Sequence, residues 1–245
     1  MSSTDQPPAL PTTIRDPLPS AIDSLPATLT RLYAHRFSTE DTASLREVWR
    51  VLVRRFFQPR LRPDATVVDI GAGECLFINE VRAARRIAVD ANPAMAAKAA
   101  PGVETVITTD LELRELDGIG VDHAFLSNFL EHLPDYQTIL RLLRRIHDVL
   151  EPGGTLLVLQ PNFRLCSKVY FDFIDHLTIL TDASLVEALS VCGFEIVEKR
   201  VRFLPFTSKS RLPQKPWMVS LYLRVPPAQW LLGKQTFIVA RRPPT

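Results

Sequence analysis

The spacing of hydrophobic and polar residues divides the chain into four parts. Residues 1–26 carry six prolines and no sustained periodicity, so we expect a disordered N-terminal tail. Residues 27–62 hold apolar positions at helical spacing and end in a proline-containing stretch, which predicts N-terminal helices. Residues 63–200 alternate short apolar runs with amphipathic segments, and 201–245 combine strand patterns with a proline-rich insert. We expect 27–245 to form a single domain.

The third part is a regular series of strand and helix patterns. Apolar runs predict five strands, in the order "TVVDIG", "RIAVDAN", "VETVITTD", "VDHAFLSN" and "TLLVLQP". Intervening segments with helical patterns are "CLFINEVRAA", "PAMAAKAA" and "DYQTILRLLRRIHDVL". Alternation of this kind over about 100 residues predicts an α/β fold with a parallel, doubly wound sheet. A helix from Ser184 and two closing strands, "FEIVEKRVRF" and "KQTFIVARR", complete the prediction.

Composition narrows the classes of function. The chain has 29 basic and 27 acidic residues, a balance that does not favour nucleic acid as a partner. Its three cysteines are isolated, with no CxxC pair, so we interpret them as small apolar residues in a reducing cytoplasm. No apolar run reaches the roughly 18 residues of a membrane span, and the N-terminal residues lack a secretory pattern.

The first strand leads into a glycine turn of the kind that holds a cofactor. A dinucleotide site has the pattern G-x-G-x-x-G, but Leu76 stands where the third glycine would follow Gly71 and Gly73. From Asp69 the segment is D-x-G-x-G-x-C, with Cys75 last. This resembles motif I of the class I S-adenosylmethionine-dependent methyltransferases, E/D-x-G-x-G-x-G. The resemblance implies S-adenosylmethionine as the cofactor, with Asp69, Gly71 and Gly73 at its site.

Other segments match the same family over about residues 60–200. Asp90 ends the second strand, 19 residues after Gly71, where motif II supplies a carboxylate to the ribose hydroxyls. Asp110 follows the third strand, where the family contacts the adenine. "FLSNFLEHLPD" resembles motif IV, which implies that Asn128 also belongs to the cofactor site, and "LEPGGTLLVLQPN" resembles the family's turn and fifth strand. The alternative is that Asp69, Asp90 and Asp110 are ordinary strand-end carboxylates. Three aspartates at the ends of successive parallel strands nevertheless favour a binding site.

The family resemblance also implies the complete architecture. It predicts a Rossmann-like sheet of seven strands with the last strand antiparallel, which is the class I methyltransferase fold. The two C-terminal strand patterns would supply the last two strands. The proline-rich insert between them, "KSRLPQKPWMVSLYLRVPPAQWLLG", is too apolar for a plain linker, and the resemblance places it near the rim of the active site.

Few side chains are suited to remove a proton from an acceptor. His176 is our first candidate for a general base and His132 the second, because both follow carboxyl ends of strands and imidazole titrates near neutral pH. Glu131, next to His132, is a third candidate catalytic residue. His35, His123 and His147 are expected to be structural or exposed, because they fall in helices or in the middle of a strand.

The same residues raise the question of a metal. Glu131, His132 and His176 match three of the four ligands in the site of the small-RNA 2′-O-methyltransferases, which would suit Mg²⁺ or Mn²⁺. Asn128 stands where the fourth ligand, a glutamate, would be. We therefore expect no metal, with Glu131 and His132 shaping the acceptor pocket.

Two functions stay open at this point. The first is O-methylation of a small molecule or a sugar or glycan precursor. "YFDFIDHLTILTDASLVEAL" and "RFLPFTSKSRLP" favour a glycan, because they are similar to bacterial methyltransferases associated with envelope polysaccharide assembly. The second is a catalytically weak binding partner within such an assembly complex, which the departure at Cys75 would favour. Neither the acceptor nor the oligomeric state follows from the sequence.

Overall fold

A computed structural model describes residues 31–32, 39–206 and 215–244. The predicted tail and part of the predicted N-terminal helical region lie outside these residues. In the remainder of that region, helix α1 spans Thr39–Leu52. It continues as a π-helical turn, Val53–Phe57, and a 3₁₀ turn, Gln58–Arg60. The chain then enters the sheet at Thr66.

Seven strands form one sheet in the order β3-β2-β1-β4-β5-β7-β6. Their bounds are Thr66–Ile70, Arg85–Asp90, Glu104–Ile107, Val121–Ser127, Leu150–Pro161, Glu195–Arg200 and Gln235–Arg241, for β1 to β7. Strands β1 to β5 pair in parallel, and β7 runs antiparallel to both β5 and β6. The predicted α/β fold, with seven strands and the last one antiparallel, is therefore confirmed.

Five further α-helices accompany the sheet in the described residues. They are α2 Tyr136–Val149, α3 Phe163–Tyr170, α4 Asp182–Val191, α5 Pro216–Arg224 and α6 Pro226–Leu232. Helix α2 confirms the strongest amphipathic pattern, and its N-cap Asp135 accepts a hydrogen bond from the Thr138 amide at 2.7 Å. Helix α4 begins two residues before the predicted Ser184, because Thr181 and Ser184 form a reciprocal capping box.

The prediction of a regular helix over "CLFINEVRAA" is wrong, because residues 73–80 form a series of turns. Gly73 and Cys75 have positive φ, which keeps the backbone out of the right-handed helical region. The amide of Ile78 donates to the Asp69 side chain, whereas in a helix it would bond to the carbonyl of Glu74. "PAMAAKAA" likewise forms only a short 3₁₀ turn, Pro93–Ala97.

Alternate residues of the strands pack into two separate cores. On one face, Val68 and Ile70 of β1 pack with α2 and α4. On the other face, Val67 packs with an aromatic cluster from the N-terminal helices and the C-terminal strands, in which Phe56 stacks on Phe203 at 4.1 Å between ring centroids. This second core joins the N-terminal helices to the sheet.

The described part of the proline-rich insert forms α5 and α6. Helix α5 packs against α1, and the Tyr222 hydroxyl donates to the carbonyl of Phe203 at 2.5 Å. After α6 the chain returns to the carboxyl edge of the sheet, where the Asn162 amide donates to the Lys234 carbonyl at 3.0 Å. Among the described residues, no helix combines the length and apolar character needed to cross a bilayer.

Candidate active site

The glycine turn after β1 lies at the carboxyl edge of the sheet, and its backbone is tied to β2. The amides of Gly71 and Ala72 donate to the carbonyl of Val89 at 2.8 and 3.1 Å. Gly71 has φ +73°, and a Cβ built on it would lie 2.2 Å from Cδ2 of Phe129. Only glycine fits here, since the position requires both a left-handed backbone and contact with an aromatic ring.

Asp90 at the end of β2 holds the other side of this turn. Its carboxylate accepts hydrogen bonds from the amides of Gly73 at 2.8 Å and Asn92 at 2.7 Å. Each carboxylate oxygen can accept more than one hydrogen bond, so both retain capacity for a ligand hydroxyl. Asp90 is therefore placed to shape the glycine turn and also to accept hydrogen bonds from a ribose.

Asp69 lies beneath the turn and is almost fully buried. Burial, with a further contribution from the negative charge of Asp90, raises the pKa of Asp69 to about 8. The side chain receives the Ile78 amide, so its contact in this structure is with the backbone of the turn. A carboxyl group with this pKa is mostly protonated at neutral pH, so Asp69 contributes to the shape of the turn and adds little negative charge.

Cys75 occupies the position where the family motif has its last glycine, and its backbone keeps a glycine-like conformation. Its φ is +55°, in the left-handed region that few non-glycine residues adopt. The side chain is fully buried, and its sulfur lies 3.9 Å from the carbonyl oxygen of Met95. The cysteine therefore holds a left-handed backbone conformation that glycine adopts readily.

The two remaining predicted cofactor residues lie farther along the same edge. Asp110 follows β3, where its carboxylate accepts from the Glu112 amide and pairs with Arg114, both at 2.9 Å. Asn128 follows β4, is exposed, and has φ +48°. Its amide donates to the carbonyl of Leu159 at 2.9 Å, which fixes the backbone between β4 and β5.

His132 and Asp175 form a contact on the acceptor side of this edge. Nδ1 of His132 lies 2.9 Å from the backbone carbonyl of Asp175 and 3.3 Å from its carboxylate. Since a carbonyl only accepts hydrogen bonds, Nδ1 must carry the proton, and the neutral ring is basic at Nε2. The sequence placed Asp175 beside His176, but in the structure its carboxylate pairs with His132, which is partly exposed.

His176 lies next to His132 in a predominantly aromatic environment. The two ring centroids are 5.2 Å apart, and the His176 side chain is buried. It stacks on Phe173 at 5.0 Å and contacts Tyr170 at 4.7 Å between centroids. The hydroxyl of Tyr170 donates to the Thr178 carbonyl at 2.5 Å, so the ring that faces His176 is itself fixed.

Glu131 is fully buried behind the two histidines. One carboxylate oxygen, Oε2, accepts from Gln160 Nε2 at 3.0 Å, while Oε1 has no hydrogen-bond partner among the described residues. Burial raises the pKa of Glu131, partly offset by the proximity of His132. Its backbone carbonyl accepts from the amides of Leu177 and Thr178, which ties the segment after α3 to the end of β4.

Glu131, His132 and His176 each offer a possible metal-ligand atom, and these atoms lie within 4.8 Å of one another. A carboxylate and two imidazoles suit several divalent transition metals. Asn128 brings an amide, so a second carboxylate at the first position of the four-ligand pattern is absent. The cluster has the geometry for a weak three-ligand site, and our prediction that activity needs no metal stays a prediction.

The other histidines in the described residues have structural contacts. His123 in β4 lies 2.7 Å from the Thr155 hydroxyl and accepts from the Arg62 amide at 3.3 Å. His147 packs edge-on against Phe194. These contacts agree with the structural roles that we expected for both, while His35 lies outside the described residues.

Three contributors to the site escaped the sequence analysis. Phe129 occupies the space over Gly71, Gln160 binds the buried Glu131, and Asp175 orients His132. Phe129 follows Asn128 directly, so its place in a matched motif was an available signal. The contacts of Gln160 and Asp175 span 29 and 43 residues of chain, and no local pattern indicates them.

The sheet order, the glycine turn after β1 and the carboxylate ending β2 together define a Rossmann-like cofactor-binding enzyme. The profile of the methyltransferase domain family matches residues 42–199. The chain therefore belongs to the methyltransferase domain family, and it is an S-adenosylmethionine-dependent methyltransferase. No significant match was found among curated protein sequences.

Solved structures support the fold. A chain of the Haloferax volcanii complex between the Trm112 methyltransferase activator and a methyltransferase has a TM-score of 0.62, with 16% identity over 86% of this chain and 97% of that one. A Thermotoga maritima S-adenosylmethionine-dependent methyltransferase has a TM-score of 0.60, with 20% identity over 88% of this chain and 96% of that one. One from Archaeoglobus fulgidus has a TM-score of 0.58, with 18% identity over 80% of this chain and 94% of that one. At these identities the likeness concerns the fold alone.

Proposed function

We propose that this methyltransferase methylates a hydroxyl group of a small molecule, with a sugar or glycan precursor as the leading acceptor class. The observation that carries the proposal is the contact between His132 and Asp175, which leaves a basic Nε2 at the carboxyl edge of the sheet. Amines are nucleophilic once deprotonated, but a hydroxyl gains most from a base that removes its proton during transfer. An oriented imidazole therefore favours a hydroxyl over an amine as the acceptor group.

The residues of the glycine turn fit the cofactor. Gly71 and Gly73 provide a backbone without side chains, and Asp90 offers carboxylate oxygens to ribose hydroxyls. When bound, S-adenosylmethionine supplies a methyl group activated by its positively charged sulfur. The turn holds this cofactor by its backbone and by Asp90, while Asp69 positions the turn from below.

On the acceptor side, His132 would take the hydroxyl proton on Nε2 as the oxygen becomes the nucleophile. The resulting imidazolium would be stabilised by Asp175, whose carboxylate lies 3.3 Å from Nδ1. His176 was the first candidate from sequence, and it lies 5.2 Å from the same ring. Burial among aromatic rings makes His176 better suited to support the pocket wall, so the contacts favour His132 as the base.

The alternative function, a catalytically weak partner in envelope polysaccharide assembly, rested on Cys75. The left-handed backbone at Cys75 and its buried sulfur keep the turn in the shape that a glycine would give. This removes the main reason to expect an impaired cofactor site. Retention of Asp90 together with the oriented His132 supports the active enzyme.

The experiment is to incubate the protein with methyl-deuterated S-adenosylmethionine and a panel of sugars, sugar nucleotides and small alcohols. Mass spectrometry should find a labelled methyl ether, with equimolar S-adenosylhomocysteine. Label on nitrogen or carbon would overturn the hydroxyl assignment. If no acceptor in the panel reacts while calorimetry shows cofactor binding, the binding-partner alternative gains support.

A further inference from the structure

Helix α5 carries apolar residues on both of its faces. Val219, Tyr222 and Leu223 pack inward against the core that contains the aromatic cluster. On the outside, the side chains of Trp217 and Leu221 are 63% and 54% exposed. A surface helix normally has a polar outer face, so large apolar side chains on the outside indicate a surface that something else covers.

Helix α6 extends this apolar surface. Trp230 and Leu231 are 69% and 70% exposed, and Leu232 follows them. The helix is fixed against the end of α5 by Gln229, a buried side chain whose amide nitrogen lies 3.2 and 3.3 Å from the carbonyls of Leu223 and Tyr222. The exposed tryptophan and leucines therefore belong to a positioned element.

The charge of this region is one-sided. Residues 199–245 contain ten lysines and arginines and no aspartate or glutamate, although the whole chain is nearly balanced. Three of the ten, Lys199, Arg200 and Arg241, lie in the strands and pair with carboxylates of earlier segments. Lys215 precedes α5, Arg224 is its last residue, and both are exposed. The guanidinium of Arg202 lies 5.6 Å from the centre of the Trp230 ring and donates to the Trp230 carbonyl at 3.0 Å. Basic groups thus border the exposed tryptophans.

We propose that α5 and α6 form a docking surface for an anionic lipid bilayer. Tryptophan and leucine insert into the boundary between headgroups and acyl chains, and nearby lysine and arginine attract anionic lipids. Both helices are short, so they would lie on the membrane surface and not cross it. Nucleic acid would use the charge but not the exposed leucines, and a protein partner would not require basic groups beside the exposed tryptophans.

The place of this surface in the fold connects it to the site. Helix α6 ends at Leu232, and two residues later the carbonyl of Lys234 accepts from the backbone amide of Asn162, just after the end of β5. Docking through α6 would hold the carboxyl edge of the sheet near the lipid headgroups. The proposal concerns membrane binding alone, so it can be tested without knowledge of the acceptor. Its outcome does not depend on whether the enzyme methylates a hydroxyl group.

The test is sedimentation of the full-length protein with sucrose-loaded vesicles. We expect binding to vesicles of phosphatidylcholine with 30 mol% phosphatidylglycerol, weak binding to pure phosphatidylcholine, and loss of binding as salt rises. Trp230→Ser with Leu231→Ser should reduce the bound fraction by roughly tenfold or more, since each residue contributes buried apolar area. Arg224→Glu should weaken binding to the anionic vesicles.

The matched control is Val191→Ser, which removes an apolar side chain of similar exposure, 69%, at the end of α4. It should bind as the wild type does, and circular dichroism should show all variants folded. The proposal is overturned if neither vesicle binds, as expected if another segment of the chain covers the helices, or if both vesicles bind equally. Unchanged binding of the double serine variant, or dimerisation that the variant abolishes while vesicles stay unbound, also overturns it.

Discussion

The two halves of the carboxyl edge are built in different ways. Over β1 to β3, the cofactor half consists of backbone amides and short side chains that belong to consecutive strand ends, such as Gly71, Gly73 and Asp90. Over β4 and β5, the acceptor half consists of side chains brought together from distant segments. There His132 meets Asp175, and Glu131 meets Gln160.

This difference separates a general requirement from a specific one. A cofactor shared by a large family can be held by backbone conformation, which requires only glycines and a carboxylate at set positions. An acceptor must be distinguished from similar molecules, which requires side chains of particular shape and polarity. Substitutions in the cofactor half should therefore change affinity or folding, and those in the acceptor half should change the rate.

The largest effect is expected in the acceptor half. His132→Ala should lower methyl transfer by about 10²–10⁴-fold, because it removes the base, while S-adenosylmethionine affinity stays unchanged. His176→Ala, which was the first choice from sequence, should lower the rate less. Single-turnover rates and calorimetry on both variants decide between the two histidines. A slower His176→Ala than His132→Ala would return the role of base to His176.

A large loss of stability is expected from Gly71→Ala. The new methyl group would meet the Phe129 ring in a left-handed backbone, at a cost of about 2–4 kcal/mol of unfolding free energy. Gly118→Ala is the matched control, because Gly118 has nearly the same φ, +71°, and open space around its Cβ position. It should cost only about 1 kcal/mol. If both variants lose the same unfolding free energy in urea denaturation, the Phe129 ring can move aside, and its contact does not require glycine at position 71.

Asp90→Ala should weaken S-adenosylmethionine binding by roughly ten- to a hundred-fold, about 1.5–3 kcal/mol. The variant removes an acceptor for ribose hydroxyls and also the contacts to Gly73 and Asn92. Asp90→Asn, which keeps one acceptor oxygen, should bind with intermediate affinity. Asp64→Ala, an exposed aspartate before β1, serves as the control. Unchanged calorimetric affinity in folded Asp90→Ala would remove this residue from the cofactor site.

The sequence predicted the cofactor half far better than the acceptor half. Asp69, Gly71, Gly73 and Asp90 all follow from strand ends and turn residues, which are local features. The helix predicted after Gly73 is wrong in this same region. The Ile78 amide donates to Asp69, which lies outside the segment that was predicted to be helical. The pairing of Asp175 with His132 depends on how the segment after α3 folds back onto β4, and no periodicity carries that information. The apolar character of the insert is evident in the sequence, but only the structure shows which of its apolar side chains are exposed.

Asp69 should make stability depend on pH. Its folded pKa, about 8, lies above the ordinary value of 3.8, so the folded state favours the protonated form. The associated stabilisation is full below pH 4 and is lost as pH rises through 8. Asp69→Asn stays neutral, so its unfolding free energy should fall less between pH 5 and 8, by up to about 4 kcal/mol. Parallel curves for variant and wild type in urea titrations would contradict the raised pKa.

The smallest effect, none at all, is expected from removing metal. Glu131, His132 and His176 are close enough to share an ion, yet Asn128 stands where the pattern of four ligands has its second carboxylate. EDTA treatment followed by dialysis should leave the transfer rate unchanged, and added Mg²⁺ or Mn²⁺ should not raise it. Asn128→Glu sharpens the comparison, because it restores the fourth ligand and should create metal binding that calorimetry detects in the variant alone. Loss of wild-type turnover in EDTA, with recovery on adding Mn²⁺, would instead mean that the acceptor half holds an ion, and the histidines would act as its ligands.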